Sequence, residues 1–160
     1  MGLLDLFGGA KGAFKKHAAR AANKKAQSPD RWDSLRALSA MKTPEAAEAL
    51  LQRFEFKVDP SITDREEKDL AFEGVVAMGD AAVPPVLSYL RRARSVTWPV
   101  KILEKLLPAE RVVGALLDVL ETMDTEYERD PERKIQLVSY LSEHRDPRIA
   151  EGVRRFLEDL

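Results

Sequence analysis

Four helix starts in this chain place a residue able to cap a helix directly before a proline: Ser28-Pro29-Asp30, Thr43-Pro44-Glu45, Asp130-Pro131-Glu132 and Asp146-Pro147-Arg148, whereas the same pairing in Asp59-Pro60-Ser61 reads as a loop. A fifth start, Pro108-Ala109-Glu110, is close in kind. Proline fits the first turn of a helix because its missing N–H has no partner there in any case, and its fixed φ is already helical. Each start leads into apolar residues three and four apart, the spacing of one helical face. Trp32, Leu35, Leu38 and Met41 follow the first, and Ala47, Leu50, Leu51 and Phe54 the second. Val112, Val113, Leu116, Leu117 and Leu120 follow Pro108, and Ile135, Leu137, Val138 and Leu141 follow Pro131. Ile149, Ala150, Val153, Phe156, Leu157 and Leu160 complete the last. A chain punctuated in this way is restricted to many short helices.

Three further starts fill the middle. Thr63-Asp64-Arg65-Glu66 matches a capping box, in which Thr63 and Glu66 satisfy each other's backbone N–H groups, and Leu70, Ala71, Gly74, Val75 and Met78 follow. Gly74 in mid-helix has two readings, a close approach between helices or a glycine simply tolerated there. Gly79 can close that helix in the left-handed conformation, and Asp80 can cap the next. Pro84 and Pro85 come within its first turn, and Val83, Val86, Leu87 and Leu90 share one face. Trp98-Pro99 opens another helix near Ser95, with Val100, Leu103, Leu106 and Leu107 as its apolar side.

The helices pair. Phe54, Leu90, Leu120 and Leu157 occupy equivalent places in the second helix of each pair, 36, 30 and 37 residues apart. That spacing is near the length of helix-pair repeats. Gly79–Leu90, with its Gly-Asp turn, Ala-Val-Pro and leucines, resembles the second helix of a HEAT or HEAT-like, armadillo-type repeat, and 28–160 resembles a run of them. The expected pairs are 28–56, 63–94, 95–122 and 130–160. The resemblance implies an all-α, right-handed α-solenoid of about four antiparallel helix pairs, with second helices on the concave face. The chain ends at Leu160 inside an apolar-striped helix, which implies either a chain cut short or an end that self-associates or packs on another chain.

Residues 1–27 differ from the rest. Lys11, Lys15, Lys16, Arg20, Lys24 and Lys25 stand against Asp5, a charge of +5, whereas the net charge of the chain is −1 and the remainder therefore carries −6. Leu3, Phe7, Ala10, Phe14, Ala18 and Ala21 form one helical stripe. Three roles fit this basic amphipathic segment. It can cap the first repeat, as solenoid ends require. It can be a docking arm, with Leu3, Phe7, Phe14, Lys15 and Lys16 as contacts. It can also lie on a membrane surface with its apolar side down. Gly8, Gly9 and Gly12 each weaken a helix by about 1 kcal/mol, so Met1–Gly12 is expected to order on binding. The opening Met-Gly lacks the Ser or Thr of a myristoylation motif, Leu6 standing there.

Few catalytic chemistries can be assembled. The absence of cysteine removes disulfides, thiolate nucleophiles and cysteine zinc sites together. The two histidines, His17 and His144, lie far apart in the chain. Iron-binding HEAT-like hydroxylases carry His-Glu pairs, but here Glu143-His144 runs in the opposite order and has no second copy. Asp124, Glu126, Glu128 and Asp130 alternate as in a calcium loop, yet Arg129 and Ile135 occupy the places of its glycine and closing glutamate. Gly8-Gly9-Ala10-Lys11-Gly12 lacks the spacing of a phosphate loop. HEAT-like DNA glycosylases use a basic groove with tryptophan, whereas this repeat body is acidic, and Trp32 and Trp98 belong to core stripes. Nothing points to the pigment site of HEAT-like bilin lyases. The expectation is no enzyme, no cofactor and no metal.

What remains is binding. The expected function is a non-catalytic adaptor or scaffold that grips another protein or peptide on its concave face. The exposed second-helix positions left after subtracting the stripes are Gln52, Arg53, Tyr89, Arg92, Asp118, Glu121, Arg154 and Arg155, and Tyr and Arg are types enriched in binding hot spots. The alternatives are a peripheral membrane protein recruited by residues 1–27 and a HEAT-like nucleic-acid-binding protein, the latter disfavoured by charge. No secretory signal and no apolar run near 18 residues is present, and the expected location is cytoplasmic.

Overall fold

The computed structural model describes residues 3–123 and 131–157, and the side chains of these except at 3–8, 155 and 157. Among the described residues there are nine α-helices and no strand. They are α1 (Leu3–Ala21), α2 (Ser28–Met41), α3 (Pro44–Leu51), α4 (Ser61–Ala77), α5 (Val83–Arg92), α6 (Thr97–Leu106), α7 (Ala109–Thr122), α8 (Pro131–Ser142) and α9 (Pro147–Leu157). Short 3-10 turns at Gln52–Glu55 and Gly79–Ala82 follow α3 and precede α5.

Local punctuation set most of these boundaries. Pro44, Pro131 and Pro147 are the first residues of their helices, and the Thr43 side chain accepts a hydrogen bond from the Ala46 N–H at 3.1 Å. Gly79 has φ +63°, the left-handed conformation that glycine adopts without penalty. Three expected caps form differently. The Pro60 carbonyl already accepts from Asp64 N–H, so α4 begins at Ser61 and the Thr63–Glu66 box lies inside its first turns. Gln27, not Ser28, is the residue before α2, because the Ser28 hydroxyl donates to Glu67 instead, at 3.0 Å. Asp80 sits within the 3-10 turn and makes no cap to α5.

The chain divides into two compact units, Met1–Val86 and Leu87–Leu160, a boundary inside α5 and so inside the stretch read as the pair 63–94. In the first unit α2 packs on α3 and on α4, and α3 packs on α4. The α1 helix lies against both α2 and α3. Leu35, Leu38, Ala46, Ala47, Leu50, Leu51, Ala71 and Val75 are buried between these helices, and each fully buried leucine contributes on the order of 2 kcal/mol. Gly74 is where α4 comes closest. A Cβ there would lie 2.2 Å from Ser39 Oγ and 3.2 Å from Leu50 Cδ1.

In the second unit α7 is central, touching α6, α8 and α9, and α8 also touches α9. Val100, Leu103, Val112, Val113, Leu116, Leu120, Leu137, Leu141, Val153 and Phe156 are buried. The turn between α5 and α6 is closed from α8. Arg133 donates to the carbonyls of Leu90 and Arg91 at 3.2 and 2.8 Å, and Gln136 accepts the Val96 N–H at 2.9 Å. One stripe residue is misplaced in the sequence reading: Ile135 is 66% exposed. It lies two residues from Leu137, about 200° around the helix and so on the opposite side.

Candidate functional site

The most deeply buried arginine is the least available. Arg53 was expected on an exposed face but is fully buried, and its Nε donates to Glu67 Oε2 at 2.6 Å. The same carboxylate receives Arg31 through Nε at 3.0 Å and Nη2 at 3.1 Å, and the Ser28 hydroxyl. Arg53 Nη2 reaches Asp64 at 2.8 Å, and Asp64 is also held by Lys68 Nζ at 2.8 Å and by the Val58 N–H at 3.1 Å. Arg31 further donates through Nη1 to the Ala26 carbonyl, and Arg53 through Nη1 to the carbonyl of Phe56. Burial alone would raise the Glu67 pKa. The hydrogen bonds from Arg31 and Arg53, the Arg53 charge and the Ser28 hydroxyl outweigh it, leaving the pKa below the ordinary glutamate value. Asp64 is likewise lowered against its burial, by Lys68, Arg53 and the Val58 N–H. This cluster locks α2, the turn after α3 and α4 together, with Arg31, Arg53 and Glu67 buried.

Arg53 follows Ala49 by four residues and Leu50 by three, both buried, so it continues a buried side of α3, whereas Phe54, the expected core residue, is only half-buried. Gln52 is half-buried as well. Tyr89 is corrected for a simpler reason. It is 1% exposed, on the same side of α5 as Val86 and Leu90, and only its neighbour Arg92 is exposed, stacked 5.3 Å from the Tyr89 ring centroid. Asp118, Glu121 and Arg154 are exposed, and the Arg155 side chain lies outside those described. Asp118 and Glu121 face different depressions, so the eight positions do not converge on one site.

Another set does converge. A groove of about 410 Å³ in the second unit is walled by the end of α5, by α7 and by Arg148 at the start of α9. Its apolar lining is Leu87, Leu90, Leu107, Ala115 and Val119, and Arg91, Arg111, Glu110 and Asp118 stand around it. Gly114 keeps the wall low beside Arg148, whose Nη1 would be 3.3 Å from an added Cβ. Arg148 is fixed. It donates to Asp146 at 2.7 Å and to the Glu110 carbonyl at 2.8 Å. The Arg148 hydrogen bonds hold the Asp146 carboxyl down at about 2, and the Arg148 pKa is raised by Asp146, with smaller contributions from Glu110 and Asp118. Leu87, Leu107 and Ala115 are only partly covered. The groove therefore offers an incompletely buried apolar floor with guanidinium groups at its edge. Among the described residues no cluster of three or more His, Asp or Glu could hold a metal ion.

In the N-terminal segment, α1 extends across Met1–Gly12 from Leu3, a stretch expected to order only on binding. Phe14 and Ala18 are half-buried and Ala21 is fully buried, on the side that meets α2 and α3. His17 Nδ1 lies 3.0 Å from Ser34 Oγ, and its pKa is lowered by burial and by the charges of Lys16 and Arg20. Lys15 and Lys16 are exposed, while the side chains of Leu3 and Phe7 lie outside those described. Phe14 and Lys15 line a mainly apolar depression of about 750 Å³ with Ala10, Ala13 and Met41. Trp32 and Trp98, expected in the core, are both half-buried, and Trp98 lies under Lys101 at 5.2 Å. Among the described residues no single helix is long and apolar enough to cross a membrane.

Residues 30–56 match the family model of the PBS lyase HEAT-like repeat, and this stretch is α2, α3 and the turn after them. The chain carries a HEAT-like repeat there, in the pair read from sequence as 28–56. No curated protein and no solved structure matches the chain.

Proposed function

We propose that this HEAT-like repeat protein is a non-catalytic scaffold that binds a segment of another protein in the groove between α5 and α7. The observation that carries the reading is the groove itself: partly exposed Leu87, Leu107 and Ala115 flanked by Arg91 and Arg111. Helical repeats present such surfaces on a rigid support, so little order has to be created in the scaffold on binding. The eight residues first expected to form the site are replaced by this set, in which Asp118 alone is retained.

The test is capture from nuclease-treated source lysate by the full chain and by Ala115→Trp, which fills the groove floor. Proteins retained by the wild type and lost with the variant, at unchanged helical circular dichroism, are the expected result. Equal retention by both would remove the groove from the function. The same comparison with a chain lacking residues 1–27 separates scaffold binding from recruitment through the basic segment, the alternative that the apolar depression at Phe14 keeps in play.

A further inference from the structure

We infer that the groove takes an acidic, apolar segment, its leucine-like side chains on the floor and its carboxylates on Arg91 and Arg111; this rests on the scaffold reading above. The inference comes from following the arginines of the second unit to their partners. Arg133 is engaged by backbone carbonyls at the end of α5, and Arg148 by Asp146 and the Glu110 carbonyl. Arg92 lies against the Tyr89 ring. Arg91 and Arg111 line the groove with both side chains exposed, and neither guanidinium has a hydrogen bond or ion pair among the described residues.

The carboxylates of the groove are not distributed evenly. Glu110 and Asp118 both act on Arg148, which already holds Asp146, so the negative charge gathers around an arginine that is satisfied. Arg91 and Arg111 are left with positive charge beside a partly dry floor. A guanidinium offers a planar fork that matches a carboxylate with two parallel hydrogen bonds, and such bonds strengthen where water is displaced. A polyphosphate backbone fits less well. It would leave the apolar floor without a partner.

The probes are two short fluorescein-labelled peptides, one of alternating Glu-Glu and Leu-Leu pairs and one with lysine in place of glutamate. Binding is read by fluorescence anisotropy on the full chain. The Glu-Leu peptide is expected to bind in preference to its Lys-Leu counterpart, more weakly as salt is raised. Arg91→Ala with Arg111→Ala should weaken it roughly tenfold or more, as loss of charge pairing at a desolvated contact does. Ala115→Trp should abolish it. Equal binding of the two peptides, no binding of the Glu-Leu peptide, or indifference to the double arginine change would overturn the inference. If lysate capture is lost in Ala115→Trp but survives the double arginine change, the scaffold reading stands and the acidic partner falls.

Discussion

The two units use the same residue, arginine, in opposite ways. In the first, Arg31 and Arg53 are buried against one carboxylate, Glu67, and they join three chain segments. In the second, Arg133 and Arg148 close helix ends on backbone carbonyls, while Arg91 and Arg111 remain at a groove edge. What separates the two fates is whether a neighbouring helix brings a carboxylate to the same depth. In α4, Glu67 occupies the face of Ala71 and Gly74, so it enters the core and takes the arginines with it. Among the described residues no carboxylate forms an ion pair with Arg91 or Arg111, and on the reading proposed here their charge is met by an outside partner. An arginine count on a repeat surface is therefore uninformative until each guanidinium has been followed to its acceptor.

The contrast is broken most severely at Glu67. Glu67→Ala leaves Arg31 and Arg53 buried without their shared carboxylate and should cost about 3–5 kcal/mol in urea unfolding, the range for stranding a buried charge. A cost near zero would mean that the cluster is not a structural lock. Acid should produce the same loss reversibly. Glu67 and Asp64 have folded pKa values below their ordinary ones, so the unfolded chain binds more protons. Their stabilisation is complete above the usual carboxylate range of about 4 and disappears as pH falls through the lower folded values. Unfolding free energy followed from neutral pH into acid should decline there, and the decline should shrink in Glu67→Gln after allowance for its lower starting stability.

Smaller effects sharpen the comparison. Gly74→Ala drives a methyl group into Ser39, whose Cβ would be 2.9 Å away, and should cost about 1–3 kcal/mol. Ser39→Gly in the same chain should restore part of that loss, since it removes the atoms struck. Thr43→Ala removes the cap of α3 and should cost about 1 kcal/mol. Last, Arg91→Ala with Arg111→Ala should leave stability within about 0.5 kcal/mol, as for surface positions without structural partners. A larger loss in that double variant would assign those arginines to the fold and remove the basis for an acidic partner.

The opposed charges of the first unit have a trace in the sequence. Arg31 lies four residues before Leu35 and seven before Leu38, and Glu67 lies four before Ala71 and eight before Val75, so each holds a core position on its helix. A lone charge in such a place argues against burial, and only the pair, 36 residues apart, argues for it. The groove left a weaker signal. Leu87, Leu90, Leu107, Ala115 and Val119 are apolar residues on three separate stretches, and periodicity cannot distinguish a floor half-open to solvent from a closed core.

By itself, then, the sequence determined many of the helix limits, though not the caps of α2, α4 and α5. Those limits depend on steric and hydrogen-bonding preferences within a few residues: proline at Pro44, Pro131 and Pro147, the Thr43 hydroxyl, and left-handed Gly79. Gly74 was only half legible, because a glycine in mid-helix is either a close contact or a tolerated residue, and the packing of α4 decides for contact. Only the tertiary structure decided which polar residues go inside. Whether Arg53, Glu67 and Tyr89 are buried depends on what other segments bring to them, and for a charge on opposite charges supplied 11 residues away or more. That desolvation cost is too large to be met locally, so local sequence carries no record of how it is offset.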